Sequence, residues 1–336
     1  MKSKLLISRI RDWRCELIQK NKNIAKNFDL IVIGHSKIEP QYEKMFNARY
    51  VHTRPVKEQI IRIIKKHKIT HAIVAQKLHE IADATYEACI ECGVKTIWTE
   101  AFFDNKLIFD YNGLQYTPNN DILKHANFHV LKKIALPKTT RQPQAQIILN
   151  KEQMTQKYRI KNDKVIVFMG QVMHDMSLKY HLDKKEATYD DFIRKVLQLN
   201  SETTFLFKPH PQEKIEKYNL RQYKNAIIIN ESIETLFSCY DKFVTFSSTT
   251  AFEGLIKNRK FAIGGYTLCP NVKLCYHLDG KDKIRNLYEN LESFEIDPDI
   301  ARKHISFITT KYAIDLRSKQ LLNKLLLTEK EYYESK

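Results

Sequence analysis

One stretch constrains this chain more than any other: Phe205-Leu206-Phe207-Lys208-Pro209-His210-Pro211. An apolar run stops abruptly at a cation, and two prolines then bracket a histidine. A short uninterrupted apolar run of this kind reads as a strand buried on both faces of a parallel sheet. Pro209 and Pro211 fix two φ angles and push Lys208 and His210 toward extended backbone. The polar pair is therefore held stiffly past a strand's carboxyl end, the edge at which open α/β sheets bind ligands. A fixed ammonium charge and imidazole N–H donors suit a phosphate. The competing reading is a strand stop with two incidental polar residues.

A second stretch weighs against that competitor. Ser247-Ser248-Thr249-Thr250 follows the apolar run 242–246 and precedes a helical pattern, Ala251-Phe252-Glu253-Gly254-Leu255. One hydroxyl would satisfy an N-cap. Four in a row ahead of a helix offer a phosphate side-chain and backbone donors together.

The remaining apolar runs frame these two. Leu30–Ile33 closed by Gly34, Ala72–Ala75 and Thr96–Glu100 alternate with helical patterns over roughly 56–66 and 79–92. That alternation predicts a Rossmann-like half with right-handed crossovers. A second set follows at 165–170, 205–207, 226–229 and 242–246, with a helix over 188–199. Residues 104–121 carry turn chemistry at Asp110, Asn112, Gly113, Tyr116, Pro118 and Asp121, and read as a loop with short strands. Residues 136–150, with Pro137 and Pro143, read as a linker. At 336 residues the chain is long enough for two domains. We expect an N-terminal domain over 1–145, a ligand-binding domain over 146–310, and a C-terminal helix over 311–336.

The first 26 residues predict a basic amphipathic helix with Leu5, Leu6, Ile10, Trp13 and Leu17 along one side. Such a helix packs on the core or meets the anionic inner face of a membrane. The formal charge of +17 draws polyanions in general. No RNA-binding aromatic signature or helix-turn-helix accompanies it, so nucleic acid is not the expected partner. Among the cysteines only Cys89 and Cys92 lie close together, with no second pair to complete a zinc site, which predicts reduced, buried thiols. With no apolar run of membrane-span length and no secretory leader, the expected compartment is the cytoplasm. No G-x-G-x-x-G or Walker loop supports a dinucleotide or ATP site.

Two carboxylates stand at strand ends. Glu100 closes the third strand beside Phe102 and Phe103, where partial burial would raise its pKa and fit it for acid/base work. A helix cap or surface acid is the alternative. Asp175 follows Gly170-Gln171-Val172 at the end of the 165–170 run, with an N-cap as its alternative.

In order, these motifs are Gly170-Gln171-Val172, Asp175 and Ser177, Lys208-Pro209-His210-Pro211, then Thr245, Ser247, Ser248, Phe252, Glu253 and Leu255. Upstream stand Glu100 with Phe102 and Asp110-x-x-Gly113-x-x-Tyr116. The set resembles the bacterial capsule-synthesis β-Kdo transferases and the related Kdo transferase domains of lipopolysaccharide assembly, Kdo being 3-deoxy-D-manno-oct-2-ulosonic acid. It covers roughly 95–265. The His-Pro and Ser/Thr pair alone is also similar to bacterial sialyltransferases. Departures occur: Met173 and His174 replace usual acidic residues, the acidic and arginine-serine positions after Glu100 are absent, and Ala251 and Gly254 replace a usual glycine and alanine.

The resemblance implies a GT-B fold, two Rossmann-like domains facing a cleft with a C-terminal helix returning to the first domain. It implies CMP-Kdo as donor, no metal or other cofactor, and a glycolipid or polysaccharide acceptor. Lys208, His210 and Pro211 would meet the CMP phosphate or ribose, Ser247, Ser248 and Thr249 the phosphate, and Glu253 the ribose or the helix start. Retaining chemistry would use Asp175 as nucleophile and Glu100 as acid/base, with Gln171 orienting Asp175 or the sugar. A sialyltransferase, another CMP-sugar transferase or a non-catalytic polyanion binder are the alternatives.

Overall fold

The computed structural model describes residues 2–8, 21–34, 49–75, 80–102, 106–111, 148–173, 175, 178, 182, 187–265, 267–315 and 318–334. Ile10, Trp13 and Leu17 of the expected N-terminal helix, Phe103, the turn residues from Asn112 to Asp121, the expected linker before 148, and His174 and Ser177 lie outside them. The described residues form two compact units, one with the chain up to Tyr111 and Ser306 onward, the other running to Ile305.

Thirteen strands are described: β1 (Ser3–Ser8), β2 (Phe28–Gly34), β3 (Arg49–His52), β4 (His71–Ala75), β5 (Lys95–Ala101), β6 (Lys106–Asp110), β7 (Val165–Met169), β8 (Thr204–Lys208), β9 (Ala226–Ile228), β10 (Lys242–Thr245), β11 (Lys260–Ile263), β12 (Tyr276–His277) and β13 (Ala313–Asp315). The first unit carries a sheet ordered β13-β6-β5-β4-β1-β2-β3, the second a sheet ordered β12-β11-β10-β7-β8-β9. Every pairing in the second sheet is parallel. In the first, β6 and β13 run antiparallel at one edge. The two Rossmann-like halves expected from the alternating runs are present.

Two expectations are corrected. Residues 3–8 are a strand, not part of a helix, and β1 sits centrally between β2 and β4. Leu5, Leu6 and Ile7 are each fully buried. Three apolar residues fit either period, and pairing on both sides decides for the strand. Nor is the C-terminal stretch a single helix. The helix Pro298–Phe307 passes through a π turn, Ile308–Tyr312, into β13, and two short helices follow, Gln320–Leu326 and Glu329–Glu334. The Thr309 and Thr310 hydroxyls donate back to the Ser306 carbonyl, at 3.3 and 2.7 Å. Such back-bonding bends a helix. The segment is fastened within its unit by Lys95 Nζ donating to the Leu327 carbonyl at 2.5 Å and Tyr111 Oη to the Lys324 carbonyl at 2.8 Å.

Aromatic rings fill the second unit's core. Phe168 and Phe207, on adjacent strands, stack at 4.8 Å between centroids. Phe192, from the helix Tyr189–Gln198, meets Phe246 edge-on at 5.0 Å. Such pairs add roughly 0.5–1.5 kcal/mol each beyond the area they bury. They fix the floor from which the loops after β7, β8 and β10 rise. Cys89, Cys269 and Cys275 are buried free thiols, and burial pushes Cys89 up to about 12. No described helix is long and apolar enough to cross a membrane.

Candidate functional site

Strand register places the sequence motifs. Met169 on β7 pairs with Lys208 on β8. Val244 on β10 pairs with Phe168 on β7, which brings Thr245 level with Met169. Gln171, His210 and Ser247 each lie two residues beyond this common rung. All three strands are parallel, so the three loops leave the same carboxyl edge. Adjacent strands lie about 4.8 Å apart, which sets the His210 and Ser247 loops roughly 10 Å from each other with the Gln171 loop between them.

Close approach at this edge requires a glycine. The Gly170 N–H donates to the Lys208 carbonyl at 2.8 Å. A Cβ on Gly170 would lie 3.0 Å from that oxygen and 3.1 Å from the Phe207 ring. Gln171 is 5 % exposed. Its Oε1 accepts the Ser247 backbone N–H at 2.7 Å, and its Nε2 donates to Ser247 Oγ at 3.1 Å. The amide expected to orient Asp175 or the sugar is thus engaged with the hydroxyl loop.

The His210 loop is fixed from both sides. The Gln212 N–H donates to His210 Nδ1 at 3.2 Å, which puts the proton of the neutral ring on Nε2. Tyr218, 1 % exposed, accepts the His210 N–H at 3.1 Å and donates to the Gln171 carbonyl at 2.8 Å. Glu213 Oε2 accepts the Met173 N–H at 3.0 Å, and Lys217 Nζ lies 2.8 Å from Oε1. Lys217 and the Met173 N–H hold the Glu213 carboxyl at about 2. Lys208 is half-buried, whereas Pro211 is exposed. Burial pushes Glu231 up, but hydrogen bonds from Lys157 and Tyr158 and the charges of Lys157 and Lys208 bring it below the usual range.

On the other flank Ser247 is buried, and Ser248 and Thr249 are half-buried. The helix Thr250–Ile256 satisfies most of its own first turn. The Thr250 N–H goes to Ser248 Oγ at 3.2 Å, and the Ala251, Phe252 and Glu253 N–H groups go to the carbonyls of Ser248 and Thr249. The Ser248 and Thr249 N–H groups have no partner among the described residues, and Thr249 makes no side-chain cap. The donors open to an anion therefore come from the turn, not from the helix amides the sequence suggested. Glu253 is 1 % exposed, within the first helical turn.

Asp175 is half-buried on the loop after β7, and its N–H closes a turn on the Val172 carbonyl at 3.0 Å. Tyr189 Oη accepts the Gln171 N–H at 3.2 Å. Burial raises the Tyr189 pKa, and the charges of Tyr218 and Asp175 add to the rise. Glu100 belongs to the first unit, half-buried near the end of β5 and opposite Ile108 of β6. The structure thus brings Gln171, Asp175, Lys208, His210, Ser247, Ser248 and Thr249 to one sheet edge. Tyr218 and Glu213, which sequence reading missed, tie the loops together. They belong to no motif, and the partners through which they reach the loop after β7 are main-chain groups 40 or more residues away. No group of three or more metal-ligating side chains occurs among the described residues.

A family model described as capsule polysaccharide biosynthesis protein matches residues 101–268, half of the chain. No curated protein matches. Among solved structures, the KpsC beta Kdo 2,7 transferase of Thermosulfurimonas dismutans is similar over 93 % of this chain and 92 % of its own, at 15 % identity and a TM-score of 0.59. The beta Kdo 2,4 transferase of the same KpsC is similar over 79 % and 85 %, at 14 % and 0.45. A glycosyltransferase from Rickettsia africae is similar over the whole of both chains, at 13 % and 0.44. Identities this low speak to the fold alone, and scores under 0.5 carry no weight. The fold is of the GT-B type.

Proposed function

The chain belongs to the capsule polysaccharide biosynthesis family, and on that footing we propose that it is a glycosyltransferase moving Kdo from CMP-Kdo to a glycolipid or surface-polysaccharide acceptor. One observation supports this reading above the others. The loops carrying Asp175, His210 and Ser247 leave one carboxyl edge from a common rung. The loop that carries the carboxylate therefore leaves the sheet between the loops that carry the two groups of anion donors.

Transfer with retention proceeds in two displacements. In the first, an Asp175 carboxylate oxygen attacks the anomeric carbon of Kdo. The bond from that carbon to the CMP phosphate oxygen breaks, and CMP leaves with the bonding pair. His210 Nε2–H, the Lys208 ammonium and the Ser248 and Thr249 donors stabilise the charge that develops on the phosphate. In the second, an acceptor hydroxyl attacks the same carbon and releases Asp175 while a base takes its proton, the role that the resemblance gives Glu100. Two inversions restore the original configuration. A single phosphate of this charge is within reach of local donors, and no step requires a metal.

The test is a donor panel followed by CMP release. We expect turnover with CMP-Kdo. Turnover with CMP-sialic acid and none with CMP-Kdo would reassign the donor. Steeply salt-dependent polyanion binding without affinity for CMP would make the chain a non-catalytic binder.

A further inference from the structure

One hydroxyl spans the two loops on which the proposed chemistry depends. Tyr218 Oη accepts the His210 N–H at 3.1 Å and donates to the Gln171 carbonyl at 2.8 Å. The ring is 1 % exposed and packs on Phe207 at 4.9 Å between centroids. It sits at the end of a short 3-10 turn, Ile215–Tyr218, with few rotamers open to it. A buried phenol with donor and acceptor both engaged in one geometry is a rigid spacer. Glu213, five residues earlier, makes a second tie from the same loop to the Met173 N–H, two residues before Asp175.

We propose that Tyr218 is a positioning residue of the transfer reaction, its hydroxyl holding the Asp175 loop in register with the phosphate-binding His210 loop. This rests on the donor and nucleophile assigned above. Phosphate contact at His210 fixes where the anomeric carbon lies relative to the 208–211 loop. Asp175 rides on the 170–175 loop. In-line attack therefore requires the distance between the loops to be constant, and Tyr218 supplies the link that ends on His210 itself. Displacements on the order of 1 Å between reacting groups lower rates by about a hundredfold.

Tyr218→Phe keeps the buried ring and removes only the hydroxyl. We expect kcat for CMP release from CMP-Kdo to fall at least about tenfold, with KM within roughly twofold of wild type. Leu291→Ala serves as the control. Leu291 is fully buried at the opposite, amino-terminal edge of the sheet, where its neighbour Glu292 pairs with Lys242, so its loss should lower the melting temperature without that fall in kcat. Wild-type kcat in Tyr218→Phe, or an equal loss in both variants at equal loss of stability, would overturn the proposal. Hydrogen exchange without any donor supplies the independent arm. The peptide covering 170–175 should exchange faster in Tyr218→Phe than in wild type, and unchanged protection would refute the strap. If wild type releases no CMP while that protection falls as expected, the strap stands and the assignment of the reaction fails.

Discussion

Gln171 gives both ends of its side-chain amide to Ser247, accepting the backbone N–H at 2.7 Å and donating to Oγ at 3.1 Å. One residue thereby staples the loop after β7 to the loop after β10. Both partners are buried.

Gln171→Ala leaves the buried Ser247 N–H without its acceptor. A buried donor stranded in this way costs about 1–3 kcal/mol. We expect a loss of that size in urea denaturation, and weaker CMP binding by calorimetry, because the hydroxyl turn is no longer anchored. Equal stability and equal CMP affinity would show that the staple is dispensable.

At Gly254 the packing leaves no room for a side chain. A Cβ there would lie 2.1 Å from the Phe261 ring. Overpacking of this kind costs about 1–3 kcal/mol, against a gain of roughly 1 kcal/mol from replacing a helical glycine. Gly254→Ala should therefore be net destabilising. Adding Phe261→Leu should recover part of the loss. A single variant as stable as wild type would contradict this account of the packing.

Lys324 is fully buried in the first unit. Its ammonium lies 3.9 Å from the Tyr333 ring centroid, 4.4 Å from Tyr332 and 4.5 Å from Tyr111. Burial lowers its pKa to about 7, while Asp110 and Glu329 pull it up and Lys311 pushes it down. The folded value lies below the unfolded value of 10.5. Between the two, the unfolded chain binds a proton that the folded chain lacks, so this group makes stability rise with pH from 7 upward, by at most roughly 1.4 kcal/mol per pH unit. Measured by denaturation from pH 7 to 9, wild type should gain stability relative to Lys324→Met. A difference that stays flat across this range would contradict the assignment.

Much of the second unit was legible in the sequence because parallel strands buried on both faces are written as uninterrupted apolar runs. β7, β8 and β10 each show one, and the polar residues after each run mark the ligand edge. β1 was not legible. Leu5 and Leu6 also fit a helical stripe with Ile10, Trp13 and Leu17, and only pairing with β2 and β4 distinguishes the two. The strand β13 was hidden as well, inside the stretch 311–336 that reads as one helix. In the site, residues with exceptional local chemistry were visible: the Pro-bracketed histidine, the run of hydroxyls, the carboxylates at strand ends. Tyr218 and Glu213 were not, since an ordinary tyrosine and glutamate acquire their importance only from main-chain groups far away in sequence.

The central claim is that Asp175 becomes covalently linked to the sugar. Protein lacking the proposed second-step base, Glu100→Gln, should be mixed with CMP-Kdo, quenched, and weighed intact before peptide mapping. We expect a mass increase of one Kdo residue, carried by the peptide containing Asp175 and absent when Asp175→Ala is added. Wild-type turnover by Asp175→Ala, or full CMP release with no adduct at any quench time, would contradict it.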